Sequence, residues 1–379
     1  KYPIREGADL QPKGSKASFI SPTITPVATE MIEKLLGSNI IERGYCLFAA
    51  PTHYIPKTRP ELSLKQFIER GGKEDNYVAG MEDTTRPQTC RMVHDFFLAN
   101  QVVFCDPVHQ MSPLNQLKNI CYSTKYISQL DVTGCYHSFL IDSLSKQLSG
   151  FESGITHLGR LRYRKLPMGL GISKSVQDAA LLHVFSGIPD ILLYSDNILV
   201  LSKTKEAHLD AIKSVFKRLR SHGLRLKPNK TSLFVTDRIK LYGVVVCLKS
   251  GKISPEVSKI EALRNRKIPQ TRKEMKSFLG ALVFFSQIAP IAVESISILH
   301  KSTRGDFVLT EEILQAYESI QNALQGNNLL FSYRPDYSRK FYMSCDSSNF
   351  HSSWVVWNNC DLGHPRVTFF GLKTWGTAI

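Results

Sequence analysis

The stretch LLYSDNILVLS, residues 192–202, constrains the fold more than any other segment of the chain. Two apolar, β-forming runs flank Ser195-Asp196-Asn197, and such an arrangement reads as a β-hairpin with a polar tip. Asp and Asn suit a turn for local backbone reasons alone. A carboxylate at the tip of so apolar a hairpin also suits a metal-holding role. Upstream, ISQLDVTGCYHSFLI (127–141) brings a second β-like run to its end at Asp131, shortly before Gly134 allows a sharp turn. Two carboxylates on adjacent strands can hold Mg²⁺ ions, which take oxygen ligands and usually retain water and substrate phosphates. Acidic turn residues are common, so these residues alone leave the structural and the metal-binding readings open.

Charge narrows the choice. Lys and Arg total 48 against 33 Asp and Glu, a net +15. Such an excess attracts a polyanion, with nucleic acid the first candidate and an acidic membrane surface the second. The 379 residues are 42% hydrophobic, enough for two or three domains with packed cores. No apolar run is long enough to span a bilayer, and the N-terminus lacks a signal-peptide core. The eight cysteines form no CxxC pair. Cys90 and His94 lie four apart, but no second pair at zinc-site spacing follows, so reduced thiols of an intracellular protein are expected. GLG at 169–171 lacks the third Gly of a dinucleotide-binding turn. The start at Lys1 suggests a piece of a longer polypeptide.

Periodicity supplies the elements. Residues 1–25 read as an extended lead-in, followed by a helix with Val27, Met31, Ile32, Leu35 and Leu36 on one side. CLFAAPTHYIPK (46–57) is β-like, and the polar residues 58–90 read as a loop or inserted subdomain. Residues 206–222 predict a helix with the apolar stripe Leu209, Ile212, Phe216 and Leu219, stopped by Gly223. KLYGVVVCL (240–248) reads as a hairpin. Thr271 and Glu274 form a capping-box pattern, and Ile313, Ala316, Tyr317, Ile320 and Leu324 mark one face of a later helix. The tail is β-like again at 340–348, 353–357 and 366–370, and it ends at Ile379 as if a domain were cut short.

In order along the chain, these segments resemble the reverse transcriptases of Gypsy-type long-terminal-repeat retroelements. YSDNILVLSKTKEAHLDAIKSVFKRLRSHGLRLKPNK resembles the YxDD hairpin and the helix after it. EMIEKLLGSNIIERGYCLFAAPTHYIPK and RMVHDFFLANQ look like fingers segments, and LDVTGCYHSF like the motif of the first catalytic Asp. LPMGLGISKSVQ is similar to the LPxG segment, LYGVVV to the primer-grip strands and KISPEVSKIEALRNRKIPQTRKEMKSFLGALVFFSQIAP to the thumb. MSCDSSNFHSSWVVW resembles the first hairpin of an RNase H domain.

The resemblance implies an α+β, right-hand polymerase. Fingers and palm would occupy 1–250 with the 58–90 insertion, a helical thumb 251–305, and a connecting helix with a truncated RNase H-like α/β unit 306–379. It implies catalytic positions Asp131, Asp196 and Asn197, with metal held by the two Asp residues. Substrate contacts would be Arg91 and Lys57 on the triphosphate, Tyr136 under the sugar, Met168 and Gly169 beside the nucleotide, and Gln177 on template or nucleotide. Leu241, Tyr242 and Gly243 would form the primer grip, and Asp346 the vestige of the RNase H site. Lys252, Lys259, Arg264, Arg266, Lys267, Arg272, Lys273 and Lys276 would face a duplex backbone.

The implied activity is RNA- or DNA-templated DNA synthesis from deoxynucleoside triphosphates with Mg²⁺, or with Mn²⁺. RNase H activity is not expected, since the further carboxylates would lie beyond Ile379. Expected partners are a template–primer and no membrane, with a homodimer or element-encoded proteins as candidate assemblies. The expected location is intracellular: cytoplasm, virus-like particle or nucleus. Four departures from the family pattern stand out: Asn197 for the last Asp, Phe97 for an Arg, an LPxG segment one residue short and without its Pro, and the 58–90 insertion. They keep a second reading open, a catalytically inactive descendant acting as a nucleic-acid-binding or assembly subunit.

Overall fold

The computed structural model describes residues 2–57, 64–69, 89–104, 116–117, 120–286, 293–325, 332–347 and 351–374. Its contacts define two compact units. One comprises Lys1–His109, Val132–Ser186 and Leu219–Arg225, and the other Gln110–Asp131, Gly187–Arg218 and Leu226–Ile379. The units interleave along the chain, whereas the segments expected from the resemblance run consecutively.

In the first unit the main strand path is Lys13–Gly14, Phe48–Pro56, Gly150–Glu152, Arg160–Tyr163 and Ile41–Arg43, and Cys90–His94 pairs with the outer half of Phe48–Pro56. The helix Thr25–Gly37 buries Ala28 and Ile32 against a core shared with Phe48, Phe151, Leu161 and Leu166. The lead-in is better anchored than its polar composition suggests. Tyr2 is buried and its amide donates to Ser145 Oγ at 2.8 Å, while Lys13–Gly14 runs parallel to Phe48–Ala49. Backbone pairing at a sheet edge needs no apolar side chain, so periodicity does not register it. The 58–90 insertion joins the paired strands Phe48–Pro56 and Cys90–His94. Apart from the helix Leu64–Glu69 and the two residues Thr89 and Cys90, it lies outside the described residues.

In the second unit, the four strands Ser232–Val235, Tyr126–Asp131, Asn197–Ser202 and Ile191–Tyr194 lie side by side in that order, all antiparallel. Directly opposed residues share a face. Ile127, Gln129 and Asp131 therefore share one face with Leu201, Leu199 and Asn197, and Tyr126, Ser128 and Leu130 share the other with Ser202, Val200 and Ile198. On the first face, Ile127, Leu199 and Leu201 join a core with Leu117, Ile120, Ile239, Leu241 and Val244.

The predicted helix is present as Lys205–Ser221, and Gly223 follows with φ +65°. Its buried stripe differs from the expected one. His208, Ile212, Val215 and Leu219 are buried, whereas Leu209 and Phe216 are 44% and 40% exposed. A polar His holds a core position, so counting apolar residues rotates the stripe toward its neighbours.

A second sheet, Arg238–Leu241, Val244–Cys247, Lys252–Pro255 and Ser332–Tyr333, ends beside Arg334. This arginine is only 2% exposed, and its guanidinium donates to the carbonyls of Cys121 (3.0 Å), Thr124 (2.9 Å) and Leu248 (2.5 Å). Hydrogen bonds of this kind are what make a buried cation tolerable. The helices Val257–Arg264, Arg272–Ser286, Val293–Ser302 and Glu311–Gln325 share a core that includes Met275, Phe278 and Leu282. All five apolar positions expected on the last helix lie in it. Thr271 Oγ1 accepts from the Glu274 amide at 3.2 Å, and the Glu274 carboxylate accepts from the amide of Gln270 at 2.8 Å. The described tail is the antiparallel meander Tyr342–Ser347, His351–Asn359 and Pro365–Thr374. Among the described residues no helix is long and apolar enough to cross a membrane.

Candidate active site

The apolar strands deliver three polar residues to one end of a strand pair. Asp131, the last residue of its strand, stands opposite Asn197, and Tyr194 pairs with Asn197 across the two-residue connection Ser195-Asp196. Ser195 adopts φ +53°, a conformation that hairpins usually assign to Gly. The tight turn keeps Asp196 out of the ladder and beside Asn197.

The Asn197 side chain serves both neighbours. Its Oδ1 accepts from Gln129 Nε2 at 3.2 Å, and its Nδ2 donates to Asp196 Oδ1 at 3.4 Å. Asp131 is buried, and Lys230 Nζ lies 3.7 Å from its Oδ2. Lys230 is a site residue that motif reading missed; its only signal was its place in the turn-forming LKPNK segment. The two carboxylates are hard donors that fit a divalent cation, while Asn197 turns its amide nitrogen toward Asp196 and leaves the group one negative charge short of three carboxylates.

The same unit brings the candidate primer grip to this hairpin. Leu241 ends one strand, and Tyr242 and Gly243 form the turn with φ +52° and +84°. Positive φ at both central positions matches the twist of a two-residue hairpin. The Tyr242 ring meets Tyr194 edge-on at 5.3 Å, and burial pushes the pKa of its phenol up.

The other candidates belong to the first unit. Arg91 pairs opposite Ile55, and the Lys57 amide donates to the carbonyl of Thr89, so both cations lie at the same end of one strand pair. Gly169 has φ +90°, and a side chain there would stand 3.6 Å from the His94 carbonyl, which sets the LPMG turn against the Arg91 strand. The Gly171 amide donates to Asn100 Oδ1 at 2.8 Å, a second tie between these segments. Met168 is exposed, and Tyr136 is half-buried on a short 3₁₀ turn, Tyr136–Ser138, packed against the unit's core. Gln177 is fully buried on the helix Ser173–Val184, and its amide has no hydrogen-bond partner among the described residues.

His94 is a core residue rather than a ligand paired with Cys90. Its two ring nitrogens lie 2.9 Å from Thr52 Oγ1 and 2.9 Å from the Tyr163 hydroxyl, and burial pushes its pKa down to about 3.

Of the eight cations expected on the duplex-facing region, Lys259, Lys267, Arg272, Lys273 and Lys276 are exposed. Lys252 is half-buried, Arg264 donates to the Leu324 carbonyl at 2.6 Å, and Arg266 donates to Ser277 Oγ at 2.9 Å. Asp346 is exposed on the tail meander, opposite Ser353.

This architecture is that of a right-hand polymerase. The chain aligns over 99% of its length with a foamy viral protease-reverse transcriptase in complex with double-stranded DNA, at TM-score 0.76 and 20% identity, covering 60% of that chain. A second foamy viral structure, in complex with an RNA/DNA hybrid, matches at TM-score 0.74 and 20% identity, over 99% of this chain and 46% of that one. Residues 79–246 match the family described as "Reverse transcriptase (RNA-dependent DNA polymerase)". The match spans less than half of the chain.

The relatives narrow the kind. The chain is 24% identical to the retrovirus-related Pol polyprotein from transposon 297 of Drosophila melanogaster, over 88% of this chain and 29% of that protein. It is 24% identical to the corresponding polyprotein from transposon 412 of the same organism (91% and 26%) and to the transposon Tf2-7 polyprotein of Schizosaccharomyces pombe (76% and 21%). Each of these relatives is a transposon polyprotein. The chain spans under a third of the length of these polyproteins.

Proposed function

We propose that this chain carries out RNA- or DNA-templated DNA synthesis from deoxynucleoside triphosphates on a template–primer. The observation that carries the reading is the convergence of Asp131, Asp196 and Asn197 at one end of the strand pair, with Lys230 beside Asp131. A divalent metal, Mg²⁺ or Mn²⁺, held by Asp131 and Asp196 would supply activation of the primer 3′-hydroxyl and stabilisation of the leaving pyrophosphate. The chain's own groups do the rest. Asp131 and Asp196 provide the negative charge that collects the cation, and Asn197 would add a neutral oxygen only after its amide turns away from Gln129. Lys230 offsets the charge of Asp131. Arg91 offers a planar five-donor cation to a triphosphate, and the Tyr136 ring would set the sugar choice.

Primer extension on a poly-ribonucleotide template, in Mg²⁺ and then in Mn²⁺, tests this directly. Extension well above an Asp196→Ala control is expected. No extension above that control in either metal would overturn the proposal in favour of a non-catalytic binding or assembly role.

A further inference from the structure

Behind the strand pair, on the face away from Asp131, a buried hydrogen-bonded chain crosses three strands and one helix. His208, fully buried on the helix Lys205–Ser221, places Nε2 2.8 Å from Ser128 Oγ and Nδ1 3.0 Å from Ser202 Oγ. Ser128 lies on the Asp131 strand and Ser202 on the Asn197 strand, and the two are diagonal neighbours, since Tyr126 pairs with Ser202 and Ser128 with Val200. One imidazole thus ties together the strands whose far ends hold the site.

The chain continues into the outer strand. The pairing of Ser232–Val235 with the Asp131 strand shifts register between Ser232 and Val235, and Phe234 within that shift has φ +53°. A bulky residue at positive φ is strained, and a bulge leaves a backbone group without its ladder partner. Here the Phe234 amide donates to Ser128 Oγ at 3.0 Å, and the Phe234 ring stands edge-on to His208 at 4.9 Å. The residues just before this strand, Pro228–Lys230, carry the lysine that reaches Asp131.

The bonding inventory fixes the protonation. Ser128 is fully buried and its oxygen already accepts from Phe234, so its single proton is best spent on His208 Nε2. His208 Nδ1–H then donates to Ser202. This neutral arrangement leaves no buried proton without an acceptor at Ser128 or His208.

We infer that His208 is a positioning residue: through Ser128 and Ser202 it fixes the strand pair that presents Asp131 and Asp196, and through the Phe234 bulge it sets the approach of Lys230 to Asp131. The inference rests on the proposed polymerase reading, and its test separates the two. Steady-state extension kinetics would compare wild type with His208→Ala, His208→Gln, Ser128→Ala and Val215→Ala, below each variant's melting temperature. Val215 is fully buried on the same helix stripe without polar contacts and serves as the packing control.

By analogy with residues that orient metal ligands, His208→Ala is expected to lower kcat about tenfold or more with KM for template–primer unchanged. His208→Gln, which keeps one donor and one acceptor, should recover most of that loss. Val215→Ala should cost stability but keep kcat within about twofold, as expected for packing away from the chemistry. Equal kcat losses in His208→Ala and Val215→Ala, or no recovery in His208→Gln, would overturn the inference. If the wild type itself does not extend primers, the polymerase reading fails and amide hydrogen exchange decides the positioning role. His208→Ala, but not Val215→Ala, should then speed exchange selectively in residues 126–131 and 197–202, and uniform acceleration in both would overturn it.

Discussion

The two faces of the four-stranded sheet solve opposite problems. One presents Asp131 and Asn197 at its end, with Asp196 at the adjoining turn, where the proposed function needs groups that stay available to a ligand. The other seats His208 between two serines, with every ring nitrogen and the strained Phe234 amide already bonded. A face that must bind something cannot satisfy all of its own charge. A face that must hold that geometry still has reason to satisfy all of its own polarity, because an orphaned buried group costs roughly 1–3 kcal/mol.

The largest effect expected from breaking this contrast is at the front face. Asp131→Asn and Asp196→Ala should each reduce extension by at least ~10²-fold, the loss of several kcal/mol of transition-state stabilisation that depends on the bound metal. Primer-extension rates at saturating metal would measure it. A loss smaller than that of His208→Ala would reverse the roles assigned to the two faces.

Asn197→Asp sharpens the contrast at one atom. It replaces the amide that donates to Asp196 Oδ1 at 3.4 Å with a second carboxylate, which repels Asp196 until a cation arrives. The variant is expected to need several-fold less Mg²⁺ for half-maximal extension, in keeping with the ligand-charge dependence of metal affinity. Its metal-free melting temperature should fall. A metal titration and a melting curve in chelator test the two halves, and an unchanged Mg²⁺ requirement would show a site tuned around Asn.

A smaller effect should appear with pH. Burial holds the pKa of His208 below its ordinary value and drives that of His94 down to about 3, against 6.5 for an ordinary histidine. As pH falls through 6.5 the unfolded chain takes up protons that the folded chain refuses. The stability due to these neutral rings is therefore full above pH 6.5 and drains below it, for His94 until about pH 3. The slope is at most ~1.4 kcal/mol per pH unit for each ring. Denaturation midpoints at pH 7 and pH 5 should fall more steeply for wild type than for His208→Gln, the remaining slope including His94. Parallel slopes would mean that the back-face imidazole is charged in the folded chain.

How much of this was legible in the sequence varies by residue. The LLYSDNILVLS hairpin follows from two apolar runs flanking a polar tip, and the five buried positions from Ile313 to Leu324 follow from helical spacing, because there the apolar residues are the ones that pack. The back face was not legible, since His208 occupies a core position as a polar residue and its partners Ser128 and Ser202 come from two other elements. Lys230 escaped for a similar reason: its partner, Asp131, lies 99 positions away. Gln177 reads as a ligand contact from its motif, and it is fully buried on the helix Ser173–Val184.

The buried Arg334 has a consequence for how the molecule is made. Its guanidinium supplies donors to the carbonyls of Cys121 and Thr124, just ahead of the Asp131 strand, yet it leaves the ribosome about two hundred residues after them. Contacts so distant in sequence form late and slowly. The foundation of the Asp131 strand therefore waits for the chain beyond the helix Glu311–Gln325 to be synthesised. Ribosome-bound chains arrested before residue 332 should be cleaved by protease near residues 121–125, and chains that have exposed Arg334 beyond the exit tunnel should resist. Equal resistance in both would show that the strand sets without its late anchor.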